Sequence, residues 1–359
     1  MLDEKHGDHC KFHAGGNAAI IANRLAELGI PDVYLGGPVG SRLKPHINPK
    51  VKIIKKSGKK EEEKDVFNEE IQDEIHLILE YAKFEEFENL QSPRSNRFIV
   101  SSDYQNSHLS FLELFHEEMQ AKSPQVVIVA GVHLLDSLPA EEKVTRLNQL
   151  CDQLKVVKKT SVIHLEIASV GDLSFLRLIA EKLLPMVDSI GLNEQELGSL
   201  YSCLGGKAHK MSDFVSPSLS VAVDAINYIF SLPFVKNENE PANSNVFSSA
   251  FPSEHYLQRI HLHFLSYHLI GLKLENEKLK DRFYSWDRAR SGLAVAAGAL
   301  ATTIQACGTD GKFPPLEDVD FRFIPQSDSH FSEDHFIDHD LEYWVAPVAV
   351  CKRPIRTVG

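Results

Sequence analysis

The sequence predicts an α/β fold built on a doubly wound, mostly parallel β-sheet. Short β-rich runs alternate with helix-period segments along most of the 359 residues, and this alternation is typical of parallel strands joined by helical crossovers. The run Gln125–Ala130 is apolar without alternation, as expected when helices cover both faces of a sheet. Residues 44–102 break the alternation and predict a small β-rich insertion.

The predicted elements follow one another in order along the chain. The strands are Val33–Gly36, Val126–Gly131, Val162–Ile167, Ser189–Leu192, Arg259–Phe264 and Val345–Cys351. The helices, which have the spacing of apolar residues that crossover helices show, are Ala18–Leu28, His108–Ala121, Ala140–Val157, Leu173–Leu184, Glu194–Leu200, Val221–Phe230 and Trp286–Cys307. Two polar stretches, residues 236–252 and 326–340, are predicted to be long surface connections.

The insertion contains three predicted strands without helices between them. They are Val51–Ile54, Glu74–Tyr81 and Arg97–Ser101, and this pattern favours a small antiparallel unit such as a lid. We therefore expect a discontinuous core, residues 1–43 and 103–359, and a β-rich lid, residues 44–102.

The composition is that of a globular chain that does not bind nucleic acid. The net charge is −12, whereas nucleic acids and anionic membranes are bound by clustered Lys and Arg. The first eight residues carry acidic groups and no apolar core, unlike a signal peptide. The longest uncharged stretch, residues 291–309, is too rich in Ala, Gly and Thr for a membrane helix. The five cysteines form no Cys-x-x-Cys pair, which argues against a zinc site.

Two glycine turns are candidate binding segments. Gly15, Gly16 and Asn17 precede a predicted helix, where glycines let the backbone approach a ligand. An ordinary turn with Asn17 as the N-cap explains the same pattern. Residues 36–40, Gly-Gly-Pro-Val-Gly, follow a predicted strand, where open α/β sheets bind ligands, and they also suit a tight turn.

Polar pairs near two strand ends are the main candidate catalytic groups. His164 and Glu166 lie two residues apart on a predicted strand, so their side chains share one face and either point toward a site or are satisfied by neighbours. Asn193 and Glu196 begin the next predicted helix. Their spacing is that of a capping box, and the same residues could supply oxygen ligands for Mg²⁺ beside a phosphate chain. Spacing alone does not separate the two interpretations.

A third predicted strand carries a row of basic side chains. Arg259, His261 and His263 lie on one face of it and could line a nucleotide pocket or pack at a domain seam. A further group has the composition of metal ligands without their fixed spacing. It consists of His330, Asp334, His335, Asp338 and His339.

Taken in order, these motifs resemble the ADP-dependent glucokinase family, and the animal members look most similar. Each motif is weak alone, while the ordered set is specific. The set is Gly-Gly-Asn-Ala-Ala at 15–19, Gly-Pro-Val-Gly at 37–40, Asn-Arg-Phe at 96–98, His-Leu-Glu at 164–166, Gly-Leu-Asn-Glu-Gln-Glu-Leu at 191–197, Arg-Ile-His at 259–261 and Ile-Arg-Thr-Val-Gly at 355–359. Residues 91–95, before the third motif, depart from the family pattern.

The resemblance implies a ribokinase-like core with a small lid, and a glycolytic reaction. In this reaction the β-phosphoryl group of ADP passes to the 6-hydroxyl of D-glucose, and AMP is released. The implied cofactor is Mg²⁺, and the implied partners are glucose and ADP or AMP, with no nucleic acid and no membrane insertion; we expect a monomer. The implied substrate-binding residues are Gly15, Gly16, Asn17 and His164; the nucleotide- and phosphate-binding residues are Arg97, Arg259, His263, Thr357 and Gly359; the metal-side residues are Glu166, Asn193 and Glu196.

The same resemblance places the general base after Gly359. In the family the base is the Asp of a Gly-x-Gly-Asp turn, and Gly359 matches its first glycine; a strand with a sugar-binding Asp precedes the Gly-Gly-Asn-Ala turn. We therefore expect the chain as it stands to be nearly inactive, because loss of a general base costs about 10²–10⁴ in rate. The alternatives are a truncated, non-catalytic nucleotide-binding protein, an ADP-dependent phosphofructokinase, and an ATP-dependent relative of ribokinase.

The resemblance also bears on the cysteines and on location. By likeness to the animal members, which enter the endoplasmic reticulum, Cys307 and Cys351 could form a disulfide, although two buried free thiols explain them equally well. The implied location is the endoplasmic reticulum or secretory pathway, or the cytoplasm if the N-terminus is genuine.

Overall fold

The structure, a computed structural model, divides the chain into two compact units. The first comprises Met1–Ser123 and Leu134–Gln153, and the second Pro124–His133 and Leu154–Gly359. The residues described are 12–54, 73–81, 84–93, 96–157, 161–232, 257–274, 288–308, 312–321 and 335–351. The division into core and lid stays a prediction.

The first unit begins with a small α/β layer. Helix α1 (Asn17–Glu27) is followed by strands β1 (Tyr34–Leu35) and β2 (Lys52–Ile53), which pair in parallel. The prediction that the run around β2 belongs to an antiparallel unit is therefore wrong, since the connection between β1 and β2 is long enough for a parallel crossover. The core of this layer is apolar and consists of Ala19, Ala22, Ala26, Val33, Leu35, Val39, Ile47 and Val51.

A two-stranded ribbon follows in the first unit. Strand β3 (Ile75–Tyr81) pairs antiparallel with β6 (Asn96–Ser102), which confirms two of the predicted strands. Between them lie the short strands β4 (Glu86–Phe87) and β5 (Leu90–Gln91). Asp73, before β3, accepts hydrogen bonds from the backbone N–H groups of Arg42 and Leu43 at 2.8 and 3.0 Å. This carboxylate fixes the start of the ribbon to the turn after β1.

Three helices follow the ribbon. They are α2 (Tyr104–Ser107), α3 (Leu112–Lys122) and α4 (Ala140–Val157). Arg146 of α4 donates to Glu113 of α3 at 2.6 Å and to the carbonyl of Leu109 at 2.6 Å, which ties these two helices together.

The second unit is built on a mixed, seven-stranded sheet. The strand order is β13-β14-β11-β10-β9-β8-β7. The strands are β7 (Val126–Val129), β8 (Val162–Glu166), β9 (Ser189–Leu192), β10 (Arg259–His263), β11 (Tyr267–Lys273), β13 (His335–Asp338) and β14 (Leu341–Pro347). From β7 to β10 neighbouring strands are parallel, and from β10 to β13 they are antiparallel. A separate pair joins β12 (Val319–Phe321) to β15 (Ala349–Cys351).

Four helices accompany this sheet. They are α5 (Leu173–Leu183), α6 (Glu194–Cys203), α7 (Leu219–Ser231) and α8 (Arg288–Cys307). Val295 and Ala299 of α8 pack on Ile270 of β11 and Ala346 of β14. The α/β class predicted from sequence is confirmed by this arrangement of helices and sheet. In the described part of the chain, no helix is long and apolar enough to cross a membrane.

The antiparallel half of the sheet contains the main differences from the sequence prediction. Strand β11 was not predicted, and the run predicted at Val345–Cys351 is divided between β14 and β15. Residues 335–338, predicted to lie in a surface connection, form the edge strand β13. There His335 stacks on Trp344 with ring centroids 4.2 Å apart and lies 2.6 Å from the buried Glu342.

The cysteines are partly described. Cys307 is disulfide-bonded, whereas Cys151 and Cys203 are free thiols. The backbone of Cys351 is described but its side chain is not, so its pairing with Cys307 stays a prediction. Thr303 donates to the carbonyl of Ala349 at 2.9 Å, which holds the end of α8 against β15.

Candidate functional site

The candidate site lies across three neighbouring parallel strands of the second unit. Ser189 of β9 pairs with His164 of β8 on one side and with Arg259 of β10 on the other. Paired positions of adjacent strands point to the same face of a sheet. His164, Ser189 and Arg259 therefore form a row across the sheet. Glu166 and Gly191 pair with each other two residues further along β8 and β9.

Glu166 lies between two imidazole rings. Its Oε2 is 3.3 Å from Nε2 of His164, and its Oε1 is 3.1 Å from Nε2 of His263. Burial raises the pKa of Glu166, but the hydrogen bonds from His164 and His263 outweigh this effect and lower the pKa to about 2. Glu166 is therefore ionised at neutral pH. The prediction that His164 and Glu166 point together is confirmed.

The same contact affects His263. Burial opposes its protonation, but the hydrogen bond to Glu166 outweighs burial and raises the pKa of His263. The ring thus donates from Nε2 to Glu166.

Gly191 makes room for the carboxylate. A Cβ at this position would lie 2.2 Å from Oε2 of Glu166 and 3.2 Å from Nε2 of His164. No side chain fits there without moving Glu166. The signal for this role in the sequence is a glycine inside a buried strand, which often marks a close approach of another group.

Helix α6 begins with the predicted capping box. Oδ1 of Asn193 accepts from the backbone N–H groups of Gln195 and Glu196 at 3.0 and 2.9 Å, and Oε2 of Glu196 accepts from the N–H of Asn193 at 2.8 Å. The capping interpretation is therefore confirmed. Burial raises the pKa of Glu196 to about 7 despite that backbone hydrogen bond, and burial also raises the pKa of Glu194.

Ser189 connects the two ends of the row. It is fully buried, its Oγ lies 2.9 Å from Nδ1 of His164, and it receives a hydrogen bond from Nη1 of Arg259 at 3.2 Å. Burial lowers the pKa of Arg259 to about 10, and Glu166 partly opposes this shift. Arg259 therefore still carries a positive charge at neutral pH.

His261 belongs to a separate pair of neutral imidazoles. Its Nε2 lies 3.4 Å from Nδ1 of His268, whose Nε2 lies 3.3 Å from the hydroxyl of Thr302. Burial lowers the pKa of His268 to about 4 and that of His261 well below its usual value. This pair links β10 and β11 to helix α8.

The predicted residues of the first unit are placed as follows. Gly16 precedes α1 with φ of +80°, in the left-handed region that favours glycine, and it is the N-cap of that helix. The prediction of Asn17 as N-cap is therefore wrong, because the helix begins one residue earlier than expected. Arg97 lies on β6 and pairs with Glu80 of β3.

Two further groups of predicted residues are only partly covered. Thr357, Gly359, His330 and Asp334 lie outside the described residues. His335 is held by Glu342 and Trp344 in β13 and β14, and Asp338 accepts from Asn227 at 2.6 Å. Across the described ranges, no group of three or more His, Cys, Asp or Glu is arranged to hold a metal ion directly. The composition of the His330–His339 group thus gives no metal site in the described part.

Comparison with known proteins identifies the family. A family model described as "ADP-specific Phosphofructokinase/Glucokinase conserved region" matches residues 2–359. The chain belongs to this family. Among curated relatives, the ADP-dependent glucokinase of Bos taurus is 29% identical over 97% of this chain and 66% of its own length. The probable ADP-dependent glucokinase of Caenorhabditis elegans is 28% identical over the same shares. The chain thus spans 66% of the length of these two relatives.

A solved structure supports the fold. The structure titled "ADP-dependent kinase complex with fructose-6-phosphate and ADPbetaS" matches with a TM-score of 0.68 and 18% identity, over 99% of this chain and 79% of that one. Together with the mixed sheet and its helices, this likeness confirms the ribokinase-like α/β fold.

Proposed function

We propose that this protein is an ADP-dependent glucokinase-like sugar kinase. It would transfer the β-phosphoryl group of ADP to the 6-hydroxyl of D-glucose and release AMP. The observation that carries the proposal is the row of groups on β8, β9 and β10, in which the cationic Arg259 and the ionised Glu166 are joined through Ser189 and His164. The family match and the names of the two glucokinase relatives support it.

The arrangement suits phosphoryl transfer, which depends mainly on positioning and on stabilisation of charge. Arg259 supplies a fixed positive charge for phosphate oxygens, and its partial burial strengthens that charge's effect because fewer waters screen it. His263 adds a donor whose pKa is raised by Glu166. We assign both residues to the phosphate side of the site.

We further propose that Mg²⁺ is held through its waters by Glu166 and Glu196. Mg²⁺ binds carboxylate oxygens and usually keeps several waters. Each oxygen of Glu166 accepts one hydrogen bond and retains a lone pair, and the capping bond of Glu196 uses Oε2 and leaves Oε1 for a hydrated ion. Bound Mg²⁺ would neutralise charge on the phosphate chain.

Asn193 and His164 suit supporting roles better than ligand roles. Oδ1 of Asn193 already accepts two backbone hydrogen bonds, which fill its acceptor capacity. Both ring nitrogens of His164 are engaged, by Ser189 and by Glu166. We propose that Asn193 fixes the start of α6 and that His164 orients Glu166.

The remaining assignments rest on the family resemblance. We propose that Gly15, Gly16 and Asn17 face the sugar and that Arg97 contacts phosphate. We also propose location in the endoplasmic reticulum or secretory pathway, which the disulfide at Cys307 supports because disulfides persist in oxidising compartments.

The test is a donor and acceptor assay, made on this chain and on any in-frame continuation of it beyond Gly359. ADP or ATP is supplied with glucose or fructose 6-phosphate, and AMP and the sugar phosphate are quantified. We expect AMP and glucose 6-phosphate from ADP and glucose. Turnover with ATP alone would refute the donor assignment, and turnover of fructose 6-phosphate alone would refute the sugar assignment. Binding of ADP without any turnover by the continued chain would favour a non-catalytic nucleotide-binding protein.

A further inference from the structure

The ribbon of β3 and β6 has two unlike faces. Residues that lie opposite each other in an antiparallel pair point to the same side, and successive residues of a strand point to opposite sides. One side, called here the apolar face, carries the described side chains of Ile75, Leu77, Leu79, Tyr81, Phe98, Val100 and Ser102. The other side combines polar groups with two isoleucines and carries His76, Ile78, Glu80, Arg97, Ile99 and Ser101. The ribbon is therefore amphipathic.

The apolar face is open to solvent. Its six apolar side chains keep between 37% and 60% of their surface exposed. Among the described elements, β3 and β6 have extensive contacts only with each other. A two-stranded ribbon is marginally stable in water by itself and needs a packed hydrophobic face for independent stability. The composition of the apolar face thus predicts that a further surface covers it.

The base of the ribbon is fixed within the first unit. Oε1 of Glu74, just before β3, accepts from the backbone N–H of Gln105 at 2.8 Å. Nε2 of His76, on the polar side, lies 2.6 Å from Oδ2 of Asp103, just after β6. With the carboxylate bonds of Asp73 described above, these contacts give the apolar face a fixed direction before any partner binds. Such preorganisation lowers the ordering cost of association.

We propose that the apolar face is a homodimer interface, on which two copies of this chain pack face to face about a twofold axis. A twofold contact joins the same surface of both copies, so a face without charge meets its equal without like-charge repulsion. This condition is selective, because the chain has a net charge of −12 and like net charge keeps copies apart. None of the seven side chains of the apolar face is charged. Pairing through strand edges instead would leave the apolar face in water.

The exposed area suits a weak dimer. The six apolar side chains present on the order of 500 Å² of surface, which is about the largest patch that soluble monomers expose. Two copies would bury about 1,000 Å² in total, at the lower limit for a specific interface. Phe87 and Leu90, both exposed in the connection between β3 and β6, can add to this area. We expect a dissociation constant of about 1–100 µM, whereas the family resemblance implies a monomer.

Sedimentation velocity of the full chain, from well below to well above this concentration range, tests the proposal. The average mass should rise from that of one chain to that of two and stop there, because a twofold contact closes on itself. Raised salt should leave the dimer unchanged or strengthen it, since apolar contacts do not depend on charge. A mass that stays at one chain, a mass that grows past two without limit, or a dimer that dissociates in raised salt overturns the proposal.

Leu79→Lys and Ile78→Lys are a matched pair of variants. The two residues are neighbours on β3, are 52% and 45% exposed, and point to opposite faces of the ribbon. Leu79→Lys places like charges on both sides of the interface and should weaken the dimer about tenfold or more, while Ile78→Lys should keep it. Equal weakening by both variants, or weakening by Ile78→Lys alone, contradicts packing through the apolar face.

The outcome does not depend on a variant or on catalysis. The concentration series of the wild type alone decides whether a closed dimer forms, even if a variant fails to fold, which circular dichroism would show. The measured quantity is mass, so a chain that phosphorylates no sugar can still confirm the dimer, and an active chain that stays monomeric at every concentration refutes it.

Discussion

Replacement of Gly191 by Ala tests the geometry around Glu166 most directly. The added Cβ would lie 2.2 Å from Oε2 of Glu166, whereas ordinary contact begins at 3.4 Å. The two atoms must therefore separate by about 1.2 Å, and a displacement of about 1 Å in a site can cost about 10²-fold in rate. Because His164 Nε2 would also lie within 3.2 Å of the new methyl group, the ring cannot follow the carboxylate freely.

The energetic cost has two parts. Inserting a methyl group into a packed interior costs about 1–3 kcal/mol. If Glu166 moves far enough to lose its bond to His164, a hydrogen bond to a charged group worth about 1.5–3 kcal/mol is lost as well. We expect Gly191→Ala to lower the free energy of unfolding by about 2.5–6 kcal/mol when both terms apply.

The assay compares Gly191→Ala with Gly271→Ala. Gly271 lies on β11 of the same sheet, and a Cβ there would lie 3.0 Å from Ile226 and from Tyr343, so neighbours need to move only slightly. Thermal unfolding and calorimetric titration with ADP and Mg²⁺ are measured for both. Gly191→Ala should lose stability and at least tenfold in affinity, while Gly271→Ala keeps its affinity. Unchanged stability and affinity in Gly191→Ala would refute the tight placement of Glu166.

Variants at three further positions test single residues. Glu196→Gln removes a group whose pKa is raised to about 7 by burial. Because the folded chain binds this proton more tightly than the unfolded chain does, the contribution of Glu196 to wild-type stability decreases as the pH rises from 4.5 to 7. In metal-free buffer, the free energy of unfolding of the variant should therefore increase relative to that of the wild type, on the order of 2–3 kcal/mol, as the pH rises from 5 to 8. A difference between the two proteins that stays constant over this range would contradict the raised pKa. His268→Asn removes a ring whose pKa is lowered to about 4 by burial. Because the folded chain binds this proton less readily than the unfolded chain does, the stability of the wild type decreases as the pH falls from 6.5 to 4. The thermal midpoint of the variant should depend less on pH in that window than that of the wild type. Asn193→Ala removes the N-cap of α6 and should cost about 1 kcal/mol in urea unfolding, whereas Asn193→Asp should retain most stability. A large loss of Mg²⁺ affinity in Asn193→Asp would contradict its assignment as a cap.

Local sequence patterns were sufficient where the structure depends on local geometry. The shared face of His164 and Glu166 follows from the two-residue period of a strand, and the capping box of Asn193 and Glu196 follows from helix spacing. The parallel strands β7 to β10 were found for the same reason, as each is a short apolar run followed by a helical or turn signal.

The missed features depend on which strands become neighbours. The partners of Ser189 and Gly191 are set by the register of β9 between β8 and β10, which no local pattern encodes. The glycine at position 191 signals a close approach in the sequence, but not which group approaches. Glu342 is the second residue of strand β14, and as a charged residue it would be expected at the surface from the sequence alone. Its side chain is buried in the structure, where His335 of β13 binds it. A polar partner on a neighbouring strand, which makes the burial of a charged side chain possible, is known only once the pairing of the strands is known.

The position of β14 affects the order in which the second unit can fold. Strands β10 and β11 form an antiparallel hairpin of nearby residues, but the other neighbour of β11 is β14, which lies about 70 residues further along the chain. Contacts between distant segments form slowly, because a long loop must close first. Until β14 is synthesised and docks, the buried residues of β11 between Tyr267 and Leu272 present an open, apolar strand edge. During biosynthesis this edge is open to pairing with other chains, and shielding by chaperones would matter at this stage.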